Sequence, residues 1–422
     1  MPPAYNTSHT FALEADAADA LASLKQQFHF PKYQQQDVIY FCGNSLGLQP
    51  KNTAAAFETE LSTWRGLAVE GYFKGQHPWL HFTDHLTPAL GKLTGAQPHE
   101  ITVMNALTVN LHLMMQSFYK PSGSRYKIMM EAGAFPSDQY AVETQVKQYG
   151  YHPADAIIEI APREGEKTLH EADILAAIAQ HGASLALVLF GGIQYYTGQL
   201  LPIQSITAAA RKAGAVAGWD LAHVTGNVPV QLHNWDVDFA VWCSYKYLNS
   251  GPGAAGGVFV HEKHAASIDT PRLGGWWGND EATRFKMEKG FIPKTNAGGW
   301  NLSTTQVFNM VALKASLEIF EQTSIEAIRE KSIRLTGYLE YLLQQSPALR
   351  CNIITPADPA QRGAQLSLFF PENGRLIHNQ LTDSGIVADY REPGVIRLAP
   401  APLYCSFSDV HRFYTTLQKT LA

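Results

Sequence analysis

An acid and a lysine stand at the ends of two apolar runs in the stretch Gly218–Gly257, GWDLAHVTGNVPVQLHNWDVDFAVWCSYKYLNSGPGAAGG. The runs Ala215–Trp219 and Phe239–Cys243 read as buried strands; the first ends on Asp220, the second on Ser244-Tyr245-Lys246. Carboxyl ends of neighbouring strands are where open α/β sheets bind ligands, and the spacing leaves room for one crossover. A lysine whose ammonium is destabilised by burial and nearby cations can attack an aldehyde and form a Schiff base. An ionised aspartate can keep a pyridine nitrogen protonated, so that the ring accepts electrons. The pair Asp220 and Lys246 therefore suits pyridoxal phosphate.

Further groups fall at successive strand ends. After the strand Ile101–Met104, the segment Asn105–Thr108 opens a helix whose buried face is Leu111, Met114, Met115 and Phe118. The free N–H groups of a helix start favour phosphate, and Thr108 adds a hydroxyl; alone, the threonine would be only a cap. Phe135-Pro136-Ser137-Asp138 follows the strand Tyr126–Met130, and Phe135 can stack on a flat ring or fill a core. Gly191 ends the run Ser184–Phe190 and lets a ligand approach the backbone. His223 can orient Asp220 or lie on the ring edge, and Tyr245 can bind phosphate or donate a proton.

Arg397, in VIRLAP, offers a guanidinium fork that fits a carboxylate, although in isolation it would read as a surface ion pair. Gly43-Asn44-Ser45-Leu46-Gly47 is either a turn requiring positive φ or a loop whose Ser45 faces a substrate. Each group alone is ordinary. In the order phosphate helix, stacking aromatic, acid and lysine they describe one site.

Strands alternate with helices from about residue 100 to 260, which predicts an α/β fold with a mostly parallel sheet covered on both faces. Val258–His261 reads as an antiparallel strand. Helices at Thr305–Phe320 and Ile325–Gln345 lead into a smaller α+β region. That region has strands at Gln365–Phe370 and Val395–Leu398 and helices at Asn373–Ser384 and Ser408–Leu421. A helix over Ala12–Phe28 and a strand at Val38–Phe41 precede the sheet, and a helix follows through Glu58–Leu67. The expected division is an N-terminal segment packing on the small domain (1–50), a large ligand-binding domain (51–305) and a small C-terminal domain (306–422).

The chain has 422 residues, 45% hydrophobic and 16% charged, as expected of a two-domain globular enzyme. A net charge of −5 gives no reason to expect nucleic acid or an anionic membrane. No apolar run is long enough to span a bilayer, and MPPAYNTSHTFALEADAADA lacks the features of a signal peptide. Four scattered cysteines, without metal-ligand spacing, fit a reducing cytoplasm and no metal centre.

Longer motifs carry a family resemblance: YFCGNSLGLQP (40–50), MNALTVNLH (104–112), FPSD (135–138), YYTGQ (195–199), DLAH and WCSYKYLNSGPG (220–253), LGGWWGND (273–280), RFKMEKG (284–290) and VIRLAPAPLY (395–404). The chain resembles the kynureninases, within the aspartate-aminotransferase-like enzymes of the fold-type I pyridoxal-phosphate-dependent transferase fold. The resemblance implies a homodimer with active sites at the subunit interface and hydrolysis of L-kynurenine, or its 3-hydroxy form, to an anthranilate and L-alanine. It makes Lys246 the Schiff-base lysine, Asp220 the partner of the pyridine nitrogen and Phe135 the stacking ring. It puts Leu107, Thr108, Tyr245 and Trp276 on the phosphate side, and Asp138 and His223 around the ring. Arg397 would hold the substrate's α-carboxylate, with Ser45, Asn44 and Tyr72 also toward substrate.

Two positions depart from the pattern. Ser303-Thr304-Thr305-Gln306 stands where the family commonly has Ser-Asn-Pro-Pro, so the cofactor contact expected there falls to Thr304. Gly191 stands where relatives offer a hydroxyl. The nearest competing function is that of another enzyme of this fold, a cysteine desulfurase or an aminotransferase. A desulfurase needs a mobile nucleophilic cysteine, for which Cys351 and Cys405 are the candidates. A dehydrogenase is disfavoured, since no G-x-G-x-x-G follows an early strand.

Overall fold

The computed structural model describes residues 5–346 and 349–421. Seven strands form the central sheet: β1 (Ile101–Met104), β2 (Lys127–Glu131), β3 (Ile157–Ile160), β4 (Leu185–Gly191), β5 (Val216–Asp220), β6 (Phe239–Trp242) and β7 (Gly256–Val260). Their order is β1-β7-β6-β5-β4-β2-β3, with β7 antiparallel to both neighbours and the other pairings parallel. Six of the seven residues of β4, four of the five of β5 and all of β6 are buried. Near-continuous apolar runs, rather than alternation, are what a parallel sheet covered on both faces requires.

The helices that matter to this frame are α1 (His9–Ala17), α2 (Thr53–Leu67), α3 (Leu107–Phe118), α4 (Pro136–Gln148), α5 (Ile203–Lys212), α6 (Phe308–Phe320), α7 (Ile325–Gln344), α8 (Gly374–Thr382) and α9 (Phe407–Leu421). The helix α5 is the crossover between β4 and β5. A second, antiparallel sheet of β8 (Asn352–Ile353), β9 (Leu366–Phe369), β10 (Asp389–Arg391) and β11 (Val395–Leu398) has the order β8-β9-β11-β10. In this sheet β10 is an edge, and Asp389 lies directly across from Arg397.

The N-terminal segment joins this second unit. Ile39–Tyr40 pairs in parallel with Ile386–Val387, and α1 packs on α9. The helix expected over Ala12–Phe28 is broken into α1 and a 3₁₀ turn at Ala22–Gln27. Asp19 causes the break. It accepts a bond from the backbone N–H of Leu21 at 3.0 Å and pairs with the buried Lys331 of α7 at 2.7 Å, so it turns inward instead of continuing the helix. The helix expected from Thr305 begins only at Phe308, because Gln306 turns its side chain to accept from Asn105 N.

Candidate active site

Leu107 and Thr108 at the start of α3, Phe135 and Asp138 around the start of α4, Gly191, Asp220, His223, Tyr245 and Lys246 line a single pocket at the carboxyl ends of β2, β4, β5 and β6. Glu131, Ser137, Ile193, Tyr195 and Ala222 complete its wall. The strand-end residues anticipated from the sequence therefore converge.

Asn105 has φ 47°, a left-handed conformation that asparagine tolerates, and this kink swings the chain from β1 into α3. Its Nδ2 donates to Asn110 Oδ1 at 3.2 Å, while Asn110 Nδ2 donates to Met104 O at 2.7 Å. No side chain caps α3, so its first N–H groups remain open to an anion. Thr108 Oγ1 and Ser137 Oγ lie 2.7 Å apart and bring two hydroxyls to the same end.

Lys246 Nζ lies 3.0 Å from His223 Nε2 and 5.7 Å from the centroid of the Phe135 ring. Burial, then the charges of Lys246, Arg397 and Arg391, hold His223 well below the usual imidazole range. The ring is therefore neutral, and its Nε2 accepts from the lysine. The sequence left His223 to Asp220 or to a ring edge; its polar contact is instead with Lys246. Phe135 is 41% exposed and meets Tyr195 edge-on at 5.2 Å, leaving a ring face open to the pocket.

Three acids share this space. Asp220 Oδ1 accepts from Ala222 N at 2.7 Å. Asp138 is raised well above the normal carboxyl range, first by burial and then by the charge of Asp220 beside it. Burial raises Asp220 too, opposed by Lys246. Two adjacent carboxyls do not both ionise cheaply: Asp138 keeps its proton and Asp220 is the anion. Glu131, which the sequence analysis did not single out, is pushed up to about 8 by burial although its oxygens accept from Gly191 N. Its signal was available, since it ends an apolar strand on a charge as Asp220 does. Burial pushes the Tyr245 hydroxyl up as well, which keeps it a neutral donor.

The loop Gly43–Gly47 touches this site from the N-terminal segment. Neither Gly43 nor Gly47 has positive φ, so the turn requirement inferred from the sequence does not hold. Gly47 is needed for close approach: a Cβ there would lie 2.4 Å from Lys246 O, and its N–H donates to Tyr245 O at 2.8 Å. Ser45 Oγ accepts from Arg397 Nη2 at 3.1 Å. Asn44 stands behind this surface, fully buried, donating to Gln365 Oε1 at 2.7 Å. Arg397 is buried too, so it is not the surface ion pair its isolated motif allowed.

Arg397, Ser45 and Asn44 are not on the pocket wall itself; Arg397 reaches it through Tyr195, whose carbonyl accepts from Nη1 at 2.8 Å. Three further anticipated residues lie elsewhere within one chain. Trp276 is 45% exposed and donates to Arg284 O at 3.1 Å. Tyr72 packs edge-on against Trp79, with ring centroids 5.4 Å apart. Thr304 lines a separate crevice with Asn105, Asn301 and Gln306. None of the three is on the wall of the Lys246 pocket. The thiols proposed for desulfurase chemistry also fail: burial pushes Cys351 up to about 12, and Cys405 is 2% exposed with its Sγ donating to Tyr40 O. A nucleophilic cysteine needs the opposite environment.

The pocket fits pyridoxal phosphate. Two buried polar atoms in it, His223 Nδ1 and Asp138 Oδ1, have no protein partner, and Asp220 supplies an anion that would suit a cationic ring nitrogen. An open helix start with two hydroxyls, an exposed aromatic face and a lysine supply the remaining contacts. A mostly parallel sheet with this lysine and acid at adjoining strand ends is that of a fold-type I pyridoxal-phosphate enzyme.

Comparison with known proteins narrows the class. The family model described as "Kynureninase C-terminal domain" matches residues 328–417. A kynureninase of Myxococcus xanthus is 52% identical over 418 residues, covering 99% of this chain and 98% of the relative. One from Nematostella vectensis is 48% identical, covering 97% and 93% respectively. The chain belongs to the kynureninase family. Among solved structures, the cysteine desulfurase CsdA of Escherichia coli matches with a TM-score of 0.75 at 19% identity, covering 95% of this chain and 98% of its own. A C-DES mutant with glycine covalently linked to its PLP cofactor matches with a TM-score of 0.75 at 18% identity, covering 90% and 96%. At such identity these two share the fold alone.

Proposed function

We propose that this chain hydrolyses L-kynurenine, or its 3-hydroxy form, to anthranilate or 3-hydroxyanthranilate and L-alanine by cleaving the Cβ–Cγ bond. The observation that carries the reading is the Lys246 pocket with Asp220 at its base, in a chain about half identical to kynureninases over nearly its whole length. Bound pyridoxal phosphate supplies an electron sink for the bonds around the substrate's Cα.

The chain's own groups do the rest. The start of α3 with Thr108, and Tyr245, would receive the phosphate, and Phe135 would stack on the ring. Asp220 is the anion opposite the ring nitrogen, with Asp138 neutral beside it. Arg397, supported by Ser45, would hold the α-carboxylate and orient the substrate. Once released, Lys246 takes the Cα proton, and His223 accepts a hydrogen bond from its amine. Water adds to the aryl carbonyl carbon as the Cβ–Cγ bond breaks, giving the carboxylate of anthranilate; Tyr245, kept neutral by burial, would donate its proton to Cβ and recover one from that water.

The chain reads as an N-terminal segment (1–50) on a small C-terminal domain (306–422), with the large domain (51–305) between; the pairing of Ile39–Tyr40 with Ile386–Val387 supports it. It also reads as a homodimer in which the partner subunit supplies what one chain keeps away from the pocket: Trp276, Thr304 and Tyr72. Four unpaired cysteines support a reducing, cytoplasmic setting. Among the described residues no helix is long and apolar enough to cross a membrane.

The test is incubation of purified protein and pyridoxal phosphate with kynurenine and, separately, 3-hydroxykynurenine, following the fluorescent aryl product and alanine. Turnover of either supports the reading. A protein that binds the cofactor at Lys246 and turns over neither substrate would refute it.

A further inference from the structure

A guanidinium has five N–H groups; three of those on Arg397 donate to the protein, and Nη2 also makes an ion-pair contact with Asp389. Nε donates to Asp389 Oδ1 at 3.1 Å, and Nη2 reaches Asp389 Oδ2 at 2.8 Å and Ser45 Oγ at 3.1 Å. Nη1 donates to Tyr195 O at 2.8 Å. A carboxylate held in the arginine fork needs two parallel N–H groups, and the Nε–Nη2 edge that offers them is occupied by the two oxygens of Asp389. A substrate carboxylate can therefore be gripped along that edge only if Asp389 gives way.

The three acceptors differ in their freedom to do so. Tyr195 O is backbone. Ser45 Oγ carries no charge and itself donates to Asp389 Oδ2 at 2.6 Å. Asp389 has somewhere to go: Arg391 Nε and Nη2 bind its two oxygens at 2.8 and 3.1 Å. It stands on the edge strand β10, opposite Arg397, and the Arg391 side chain is 41% exposed. The charges also fail to balance. Two guanidiniums face one carboxylate, which is the deficit a substrate carboxylate would fill.

We propose that Asp389 is an internal stand-in for the substrate carboxylate, filling the fork of Arg397 in the resting enzyme and yielding it to substrate while Arg391 retains Asp389. The inference rests on the reading of Arg397 as the α-carboxylate site. The device has a physical reason. A buried guanidinium without a counter-ion is costly, so Asp389 keeps Arg397 in place between turnovers. Burial alone would raise the Asp389 carboxyl, but bonds from Arg397 and Ser45 and the charge of Arg391 hold it below the normal range, so it stays an anion.

Steady-state kinetics of the holoenzyme with L-kynurenine, and inhibition by the decarboxylated analogue of kynurenine, test this. Asp389→Asn removes the competing charge and should lower KM for kynurenine by about tenfold, because the fork is open in a larger fraction of molecules. Inhibition by the analogue, which has no carboxylate, should not change. Arg391→Met leaves Asp389 with Arg397 alone and should raise KM several-fold, an effect absent in the Asp389→Asn background. If Asp389→Asn raises KM, or if neither variant shifts it, Asp389 is a fixed support and the proposal fails. Should Asp389→Asn not hold cofactor, the direction of the Arg391→Met effect decides alone. Arg397→Lys separates the underlying reading. If it changes kynurenine KM and analogue inhibition equally, the carboxylate is not at Arg397, and the assignment of that residue falls independently of Asp389.

Discussion

Lys246 Nζ lies 3.0 Å from His223 Nε2, and burial keeps that imidazole neutral. A neutral acceptor fixes the direction of the amine without adding a second positive charge to the pocket. Lys246→Ala should therefore lower kcat/KM by about 10³-fold or more. It should also abolish the visible absorption of the lysine-linked cofactor while leaving the melting temperature of the apoprotein within a few degrees. His223→Leu should keep the cofactor and lower kcat about tenfold. Stopped assays of anthranilate release, read beside absorbance spectra, check both; substantial turnover by Lys246→Ala would remove the lysine from its role.

Asp138 and Asp220 have opposite tasks although they are adjacent acids. Only one can ionise readily, and Lys246 favours Asp220. The amide of Asp138→Asn resembles the protonated acid it replaces, and this variant should keep activity within about tenfold of wild type. Asp220→Asn removes the anion proposed to pair with the ring nitrogen and should cost about 10²-fold or more in kcat. The two kcat values, measured at saturating cofactor, settle the order; equal losses would contradict the assignment.

Sequence disclosed the strand ends and not the partners that cross the chain. Val188, Leu189 and Phe190 in β4, and the run Phe239–Trp242, are apolar enough that burial follows from composition, so the acid and lysine beyond them are placed with little ambiguity. Asp19 is different. Its partner is Lys331, more than 300 residues away, and nothing in the local periodicity of Ala12–Phe28 announces that the helix breaks to reach it. Asp389 was missed for the same reason, because its position opposite Arg397 is a matter of strand register. Trp276, Tyr72 and Thr304 are attached to the site by family resemblance, which does not say which copy of the chain a side chain serves.

Glu131 gives the apoprotein a pH dependence of definite sign. Its carboxyl is pushed up to about 8 in the fold, first by burial, against about 4.5 when unfolded. Its contribution to stability is full below about pH 4.5 and is lost as the pH rises through 8, because the unfolded chain releases the proton first. The slope approaches about 1.4 kcal/mol per pH unit in that window. Urea denaturation of the cofactor-free protein at several pH values between 5 and 9 should show Glu131→Gln gaining stability relative to wild type as pH rises. Parallel curves for the two proteins would mean that Glu131 is ionised in the fold.

Trp276 is 45% exposed and away from the wall of its own chain's pocket, with the exposed Phe285 edge-on at 5.5 Å. In the homodimer proposed above, each Trp276 would meet its partner's pocket. Complementation tests this directly. Lys246→Ala and Trp276→Ala proteins should each be strongly impaired as homodimers. In a mixed dimer one site loses both groups and the other keeps both, provided they come from different subunits. Unfolding and refolding an equimolar mixture should then recover about a quarter of wild-type activity, half the molecules being mixed with one intact site each. If Trp276 instead serves its own chain, each site of the mixed dimer carries one defect and mixing restores nothing. Sedimentation of the same samples reports whether the mixed species formed.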